Sequence, residues 1–269
     1  MATSFDLAPA PRVLLLSGTS EGRPLARALV DLGYEVVATV TGEEARDNLF
    51  GALASDLTVE VGGFDEPALE AFLTARKIDL VLDATHPFAA RITTVAHRVC
   101  ERLALPYVRY ERPTWEPPAG TRLADTFAEA AEIVPTLGRR VLLTLGARQL
   151  KHFAHLHDRV LLFARILPVP RSLEQALAAG FTSETILCLR PPFSQAFNRA
   201  LLEEWQIDAL VTKDSGQAGG VVEKVQAAAE LGVNVLMVRR PRLEGIAAVR
   251  TIDEALAACR QTCAPGPRR

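Results

Sequence analysis

The feature that most constrains the fold is a regular alternation of short apolar runs with longer amphipathic stretches. Runs such as Arg12–Leu16 and Glu35–Val40 are rich in valine and leucine, and the helical pattern Glu21–Leu32 lies between them. Strands that are apolar along most of their length are buried on both faces, as in parallel sheets covered by helices. The sequence therefore predicts an α/β fold of Rossmann-like, doubly wound parallel sheets.

The alternation is interrupted once and then restarts, which predicts two domains. The interruption is Pro113–Gly120, a segment with three prolines that ends in glycine. Turn-forming residues of this kind are typical of domain boundaries. For this chain of 269 residues we predict domains at residues 1–115 and 116–269. The pattern leaves open which sheet receives the last strands.

The predicted elements fall in both domains. The strands are Arg12–Leu16, Glu35–Val40, Leu57–Val61, Leu80–Asp83, Tyr107–Tyr110, Val141–Leu145, Val160–Ile166, Thr185–Leu189, Ala209–Thr212 and Val235–Val238. The helices are Glu21–Leu32, Phe88–Leu103, Ala128–Val134, Leu173–Ala179, Ala196–Trp205, Val221–Leu231 and Asp253–Cys259.

The composition excludes some classes of protein. The 30 lysines and arginines nearly balance the 32 aspartates and glutamates, so nucleic acid is not the expected partner. The four cysteines form no CxxC pair, which is typical of a reduced protein inside the cell. Residues 1–11 lack the pattern of a signal peptide, and no apolar run approaches the roughly 20 residues of a membrane span. We therefore expect a cytoplasmic protein that does not contact a membrane.

A glycine-containing turn follows the first predicted strand and precedes a helix. Backbone N–H groups in such a turn, together with the positive end of the helix dipole, suit a pyrophosphate. The glycine spacing is GxxxG, closer to the short-chain reductases than to the complete GxGxxG fingerprint. The alternative is a tight turn in which Ser20 caps the helix. The candidate cofactor ligands are Gly18, Thr19, Ser20, Glu21 and Gly22.

The end of the second predicted strand favours NADP over NAD. NAD sites usually place an acid here to hold the ribose 2′-hydroxyl, and an acid would repel a 2′-phosphate. In this chain Thr39 and Thr41 occupy the end of the strand, Arg46 follows, and no acid occurs before Glu43. Thr39 and Thr41 are therefore candidate ligands of NADPH.

A polar segment with the sequence DATHPFA, residues 83–89, follows the fourth predicted strand. Open α/β sheets bind ligands at the carboxyl ends of their strands. Thr85 is therefore a candidate cofactor ligand, and His86 is a candidate proton donor. The alternative is that Thr85 caps the next helix and His86 is structural.

Basic residues follow predicted strands in both halves of the chain. Arginine and lysine in such loops suit carboxylates, although solvated surface charge is a common alternative. Residues 212–220 add three glycines before a helix, without the GK[ST] order of a Walker A loop. The candidate substrate ligands are Arg109, Arg112, Arg148, Lys151, Lys213, Ser215, Gly216 and Lys224.

Three histidines, His152, His155 and His157, form an HxxHxH cluster. The sequence places no acidic or cysteine partner beside them, as a metal site would need. We therefore expect a solvent-exposed helix end and no metal.

Taken in order, several motifs resemble the precorrin-6A reductases of cobalamin biosynthesis. The resemblance spans roughly Val13 to Pro241, and the chain departs from it at Gly63, where the family pattern has arginine. A cofactor or substrate contact from position 63 is therefore in doubt. The motifs are GTSEG at 18–22, DATHPFA at 83–89, RYERP at 109–113, ARILP at 164–168, PPFSQAFN at 191–198 and TKDSGQAGGVVEKVQAA at 212–228.

This resemblance implies an NADPH site mainly in the first domain and tetrapyrrole contacts from the second. It implies hydride transfer from the nicotinamide to a carbon of the precorrin-6A macrocycle and protonation of the neighbouring carbon, which gives precorrin-6B. The basic candidates, joined by Arg165 and Arg190, would pair with the acetate and propionate carboxylates of the substrate. The resemblance also leaves room for contacts with neighbouring enzymes of the pathway.

Three alternatives stay open at this point. One is the cobalt-precorrin-6A reductase of the anaerobic route, because the sequence does not reveal whether the ring already holds cobalt. Another is a different NADP-dependent reductase of a polycarboxylate, although Tyr34, Tyr107 and Tyr110 lack the lysine four residues later that short-chain enzymes use. The third is a non-catalytic nucleotide-binding regulator, which has no use for basic loops in both domains.

Overall fold

The computed structural model describes residues 9–53 and 55–265, and their strands form two six-stranded sheets in which every pairing is parallel. The strands are β1 (Arg12–Ser17), β2 (Glu35–Val40), β3 (Thr58–Val61), β4 (Leu80–Ala84), β5 (Tyr107–Tyr110), β6 (Arg122–Ala124), β7 (Arg140–Leu143), β8 (Leu161–Ile166), β9 (Ile186–Cys188), β10 (Ala209–Lys213), β11 (Asn234–Val238) and β12 (Ala248–Val249). The helices are α1 (Gly22–Asp31), α2 (Glu43–Phe50), α3 (Glu66–Ala75), α4 (Ala90–Arg102), α5 (Phe127–Ile133), α6 (Pro170–Ala178), α7 (Gln195–Glu204), α8 (Val221–Glu230) and α9 (Ile252–Thr262).

The first unit contains the described residues up to Pro113 and again from Arg242. Its strand order is β3-β2-β1-β4-β5-β12, the order of a doubly wound nucleotide-binding sheet. The order reverses between β1 and β4, so the carboxyl ends of these two strands form the expected ligand crevice.

The second unit spans Thr114–Pro241. Its order is β9-β8-β7-β10-β11-β6, so its first five positions repeat the arrangement of the first unit. The sixth position is filled by β6, which precedes the other strands in the chain. The order reverses between β7 and β10, which places a second expected ligand crevice there.

Burial on both faces explains why the apolar runs form central strands. Along β1, successive side chains point to opposite faces of the sheet. Leu15 packs in a core with Leu25 of α1, and Leu14 packs in another core with Leu69 of α3. The fold predicted from the alternation is confirmed.

Two helices were not expected, and their residues explain why. The sequence of α2, EEARDNLF, carries almost no apolar periodicity, and Phe50 is the one residue of this helix that is buried. In α3, Asp65 accepts a hydrogen bond from the N–H of Ala68 at 2.9 Å and a proline stands in the first turn, a start signal that the sequence did contain.

The C-terminal segment differs from the predicted domain limits. Residues 242–269 were assigned to the second domain, whereas β12 pairs with β5 and α9 packs in the first unit. Ala255, Leu256 and Cys259 of α9 join the core around β1. The physical reason is the apolar face of α9, which is buried against that core and not against the neighbouring segment in sequence.

In residues 9–53 and 55–265, no helix is long and apolar enough to cross a membrane. Most of the N-terminal segment in which no signal peptide is expected, residues 1–8, lies outside the described residues.

Candidate functional site

The turn between β1 and α1 requires glycine at position 22. A Cβ atom added to Gly22 would lie 1.9 Å from Oγ of Ser17, the last residue of β1. Glycine therefore lets α1 pack closely on the strand, as in dinucleotide-binding turns. Ser20 does not cap the helix, because the N-cap is Glu21 and no side chain caps the first turn. Within that turn, however, the N–H of Gly22 donates to the carbonyl of Thr19 at 3.1 Å and Pro24 has no N–H, so the start of α1 offers an anion fewer donors than an ordinary helix start.

A buried ion pair lies beside this turn. Arg112 donates to the carboxylate of Glu21 through two nitrogens and to Oγ of Ser20 at 3.0 Å. Burial raises the pKa of Glu21, but the hydrogen bond and charge of Arg112 outweigh it, so the net pKa is lowered. Glu21 is therefore charged and neutralised by Arg112.

The turn after β4 is held by a second buried network. The carboxylate of Asp83 accepts hydrogen bonds from Nη1 of Arg109 at 2.8 Å, from the hydroxyl of Tyr107 at 2.7 Å and from the N–H of Thr85 at 2.9 Å. Burial, and then the charge of Asp83, raise the pKa of Tyr107, so its hydroxyl stays protonated and donates. Nη1 of Arg109 also donates to the hydroxyl of Thr85 at 3.0 Å.

The structural alternative for this turn is wrong for Thr85, whereas His86 does make a local structural contact. Thr85 does not cap α4, because the N-cap is Ala89, and its hydroxyl instead contacts that of Thr93 at 3.1 Å. Nδ1 of His86 accepts the N–H of Phe88 at 3.1 Å. The proton of a neutral His86 ring is therefore on Nε2, which leaves that nitrogen as a donor.

The two turns of the first unit meet at its switch point. The hydroxyl of Thr19 donates to the carbonyl of Ala84 at 3.3 Å, and a Cβ added to Gly18 would lie 3.7 Å from the backbone nitrogen of His86. Thr39 pairs with Leu16 across β2 and β1 and is buried. The predicted cofactor candidates after β1, β2 and β4 are thus at the carboxyl edge of three adjacent strands.

The segment that follows β2 begins at the protein surface. Thr41 is exposed, and α2 begins after Gly42, which supplies no side-chain cap. Arg46 forms ion pairs with Glu43 and Asp47 on the same helix. Arg46 therefore lies on the exposed surface of α2 beside two acidic residues.

At the switch point of the second unit, the turn after β7 contacts the neighbouring strand β10. The hydroxyl of Thr144, after β7, donates to the carbonyl of Val211 in β10 at 3.1 Å. Gly146 and Gly216 follow these two strands with φ of 85° and 73°, backbone conformations that favour glycine. The bidentate pair of Arg240 with Asp214, at 2.9 Å for both contacts, closes the turn that holds Ser215 and Gly216.

Basic side chains gather around this second switch point. Burial, with the nearby charge of Arg148, lowers the pKa of Lys213 to about 8. Burial, with the charges of Arg165 and Lys213, lowers the pKa of Lys224 to about 7, although Glu223 opposes the shift. Such mutual repulsion means that an anion bound among these groups would be strongly favoured.

Arg165 belongs to this group and has neutral partners. Nη1 of Arg165 donates to Oδ1 of Asn198 at 2.8 Å, and the guanidinium lies 4.4 Å from the ring centroid of Phe193. Burial lowers the pKa of Arg165 to about 10. Within the described chain, no carboxylate lies within 4.0 Å of the charged nitrogens of Arg165 or Lys224.

The structure separates the predicted substrate ligands into groups. Arg148, Lys213 and Lys224 interact electrostatically, and Ser215 and Gly216 lie in the turn beside Lys213. Lys151 is exposed on a 3₁₀ helix and is not part of that group. Arg109 and Arg112 are buried in the first unit, where Asp83 and Glu21 already neutralise them. We therefore withdraw the two arginines from the proposed substrate ligands.

The histidine cluster has three separate environments. His152 stacks on Phe127 with ring centroids 5.8 Å apart, Nε2 of His157 bonds the carbonyl of Ala179 at 2.9 Å, and His155 is exposed. In the described ranges, no group of three or more His, Cys, Asp or Glu side chains is arranged to hold a metal ion.

Some residues of the site gave little signal in the sequence. Tyr107 and Thr93 complete the network of Asp83, and Asn198 and Phe193 hold Arg165. Thr93 is eight residues from its partner Thr85, on the helix that follows, whereas Tyr107 and Asn198 contact partners 24 and 33 residues away that only the fold brings close.

The fold and these sites define the class of the protein. It is a Rossmann-type α/β protein of two units, with a nucleotide-type turn in the first and a cationic switch point in the second.

Comparison with known proteins places the chain in a family. The model described as "Precorrin-6x reductase CbiJ/CobK" matches residues 12–260. The cobalt-precorrin-6A reductase of Synechocystis is 42% identical over 239 residues, which cover 86% of this chain and 88% of the relative. The precorrin-6A reductase of Rhodococcus erythropolis is 38% identical over 251 residues, which cover 92% and 95%. A solved structure of CobK precorrin-6A reductase matches with a TM-score of 0.78 and 27% identity, over 94% of this chain and 98% of that chain. The chain therefore belongs to the precorrin-6x reductase family.

Proposed function

We propose that the protein reduces precorrin-6A with NADPH in cobalamin biosynthesis, by adding hydride to one ring carbon and a proton to its neighbour. Family membership supports the reaction, and relatives that align with most of the chain are named precorrin-6A reductase. The observation that carries the proposal is the group of Arg148, Arg165, Lys213 and Lys224 at the second switch point. Precorrin-6A bears several carboxylates, which match such a group in charge.

The cofactor site is proposed at the switch point of the first unit. The close packing at Gly22, the position of α1 directly after the carboxyl end of β1 and the neutralised Glu21 fit the pyrophosphate of a dinucleotide. Arg112 contacts Ser20, so we now propose that it supports this anion site. The lack of an acid at Thr39 and Thr41 favours the phosphorylated cofactor.

NADPH would supply the hydride when bound. The residues of the chain would hold the cofactor and substrate in position, and their burial would limit water in the site. We propose that Nε2 of His86 delivers the proton, because Nδ1 is already an acceptor for Phe88. The network of Asp83, Arg109 and Tyr107 would fix the turn that carries His86.

A second candidate substrate is the cobalt-containing ring. The Synechocystis relative, at 42% identity, is named cobalt-precorrin-6A reductase, so this form has specific support. The basic residues would hold the carboxylates of either ring. The ratio of kcat/KM for the two substrates would decide between them.

The test is to mix purified protein, NADPH and precorrin-6A and to follow the nicotinamide absorbance together with the product mass. We expect NADPH to be consumed and the macrocycle to gain two hydrogen atoms. A His86→Gln variant should bind NADPH normally and turn over at least about tenfold more slowly, as expected for loss of a general acid. Tight NADPH binding without turnover by the wild-type protein would contradict the proposed function.

A further inference from the structure

Arg165 is a buried cation whose two direct contact partners are neutral. It lies near the end of β8 with 8% of its surface exposed, and its partners are the amide oxygen of Asn198 and the ring of Phe193. Most buried arginines are paired with a carboxylate, because an isolated buried charge is costly. This guanidinium is therefore oriented without being neutralised.

The two partners are themselves fixed. Asn198 is 3% exposed, and its Nδ2 donates to the carbonyl of Ser194 at 2.8 Å in the first turn of α7. Ser194 caps α7 by accepting the N–H of Phe197 at 3.1 Å. Phe193 stacks on Phe197 with ring centroids 5.1 Å apart. The PPFSQAFN motif thus forms a rigid, uncharged support for Arg165.

The rest of the guanidinium is available to a ligand. Only Nη1 donates to Asn198, and neither Nε nor Nη2 is among the fully buried side-chain atoms that lack a partner. These two nitrogens therefore reach the surface of the second unit. Nε and Nη2 form one edge of the guanidinium with two parallel N–H donors, which suits the two oxygens of a carboxylate.

Neighbouring charges make this position favourable for an anion. Lys224 feels the charge of Arg165, and Lys213 adds to the same repulsion. A carboxylate bound to Arg165 would relieve the repulsion that Arg165 exerts on Lys224.

We propose that Arg165 is the specificity-determining anchor of one substrate carboxylate, and that Asn198 and Phe193 are positioning residues whose neutrality leaves its charge for the substrate. This inference rests on the proposed function of the second switch point as the substrate site. It differs from a purely structural role, in which Arg165 would only tie β8 to α7.

The decisive comparison is Asn198→Asp with Asn198→Ala. Aspartate has nearly the shape of asparagine and still accepts from Arg165, but it brings a competing carboxylate. If Asn198 only orients Arg165, aspartate should preserve binding better than alanine. If neutrality is required, aspartate should weaken binding roughly tenfold to a hundredfold and more than alanine does, the range expected for a charge-assisted contact.

The probe is uroporphyrin, a stable tetrapyrrole polycarboxylate, titrated by fluorescence into the full-length protein. Arg165→Met should weaken its binding by a similar factor, and Asn198→Asp should add almost nothing in the Arg165→Met background. NADPH affinity should be unchanged in all variants, and thermal unfolding should show that they are folded. If Asn198→Asp does not fold, Arg165→Met alone must show the selective loss.

Uroporphyrin binding by Asn198→Asp that equals the wild type, or exceeds that of Asn198→Ala, would overturn the inference. In that case NADPH-dependent turnover by the wild type would leave the proposed function intact. Conversely, the expected Asn198→Asp effect without any wild-type turnover would preserve the anchor and contradict the proposed reductase activity.

Discussion

At the scale of single residues, pairing and burial decide what each charged side chain can do. Arg109 and Arg165 are both buried arginines, but Asp83 neutralises the first, whereas the second donates to the neutral amide oxygen of Asn198. The first arginine therefore stabilises a turn, whereas the second carries a charge that a ligand can use. In the same way, Glu21 neutralises Arg112, whereas the buried Lys224 is repelled by the charges of Arg165 and Lys213.

Lys224 should lower the stability of the unliganded protein near neutral pH. Because its pKa is lowered from 10.5 to about 7 in the fold, the folded chain binds fewer protons than the unfolded chain between those values. The contribution of Lys224 to the free energy of unfolding therefore rises with pH between about 7 and 10.5. Below a pH of about 7, the destabilising cost of the buried charge is fully present.

We therefore expect Lys224→Met to raise the thermal midpoint at pH 7, and the gain to shrink as the pH approaches 10. Thermal unfolding followed by circular dichroism at several pH values measures this. The exposed Lys151→Met is the matched control and should show little change at any pH. A lower midpoint for Lys224→Met across the whole range would refute the interpretation of Lys224 as an uncompensated charge.

At the scale of elements, the C-terminal helix α9 belongs to the first unit although it follows the second in sequence. Thr251 and Glu254 form a capping box at its start, and Cys259 is fully buried in the core around β1. The helix should therefore stabilise the first unit and not the second.

Loss of the cap should have a modest and localised effect. Thr251→Ala should reduce the free energy of unfolding by about 1 kcal/mol, as is typical for an N-cap. Hydrogen exchange should increase in α9 and β5 while β7 and β10 remain protected. Thr262→Ala, at the other end of the same helix, is the control and should change little. Equal loss of protection in both sheets would show that α9 does not belong to the first unit alone.

The fold could be predicted from the sequence largely because its strands are apolar and its turns are polar. What the sequence did not reveal depends on strand order. Arg109 faces Asp83 across β5 and β4, so the pairing that removes it from the substrate site follows from the sheet register. Asn198 lies 33 residues from Arg165, and nothing in the local pattern marks it as a partner. The two-residue strand β12 is too short to leave a pattern at all.

At the scale of the whole molecule, we propose different ligands for the two units. The first would bind NADPH at the turn of Gly22, and the second would bind carboxylates near Lys213.

Two substitutions test this division. Gly22→Ala should weaken NADPH binding about tenfold or more, since a shift of the turn misplaces its N–H groups, and should leave uroporphyrin binding unchanged.

Lys213→Ala should have the opposite pattern, with uroporphyrin binding weakened about tenfold and NADPH binding preserved. Isothermal titration calorimetry with each ligand measures both constants on the same samples. Equal losses of both ligands in either variant, or a loss of NADPH alone in Lys213→Ala, would contradict this division of the two units.

The most direct test of the central claim is the fate of the hydride itself. Wild-type protein should be incubated with precorrin-6A and with NADPH that carries deuterium at the transferable position of the nicotinamide, and the product should be analysed by mass spectrometry and NMR. We expect one deuterium at a single carbon of the reduced macrocycle. Reduced product without deuterium, or oxidised cofactor without reduced product, would contradict this expectation.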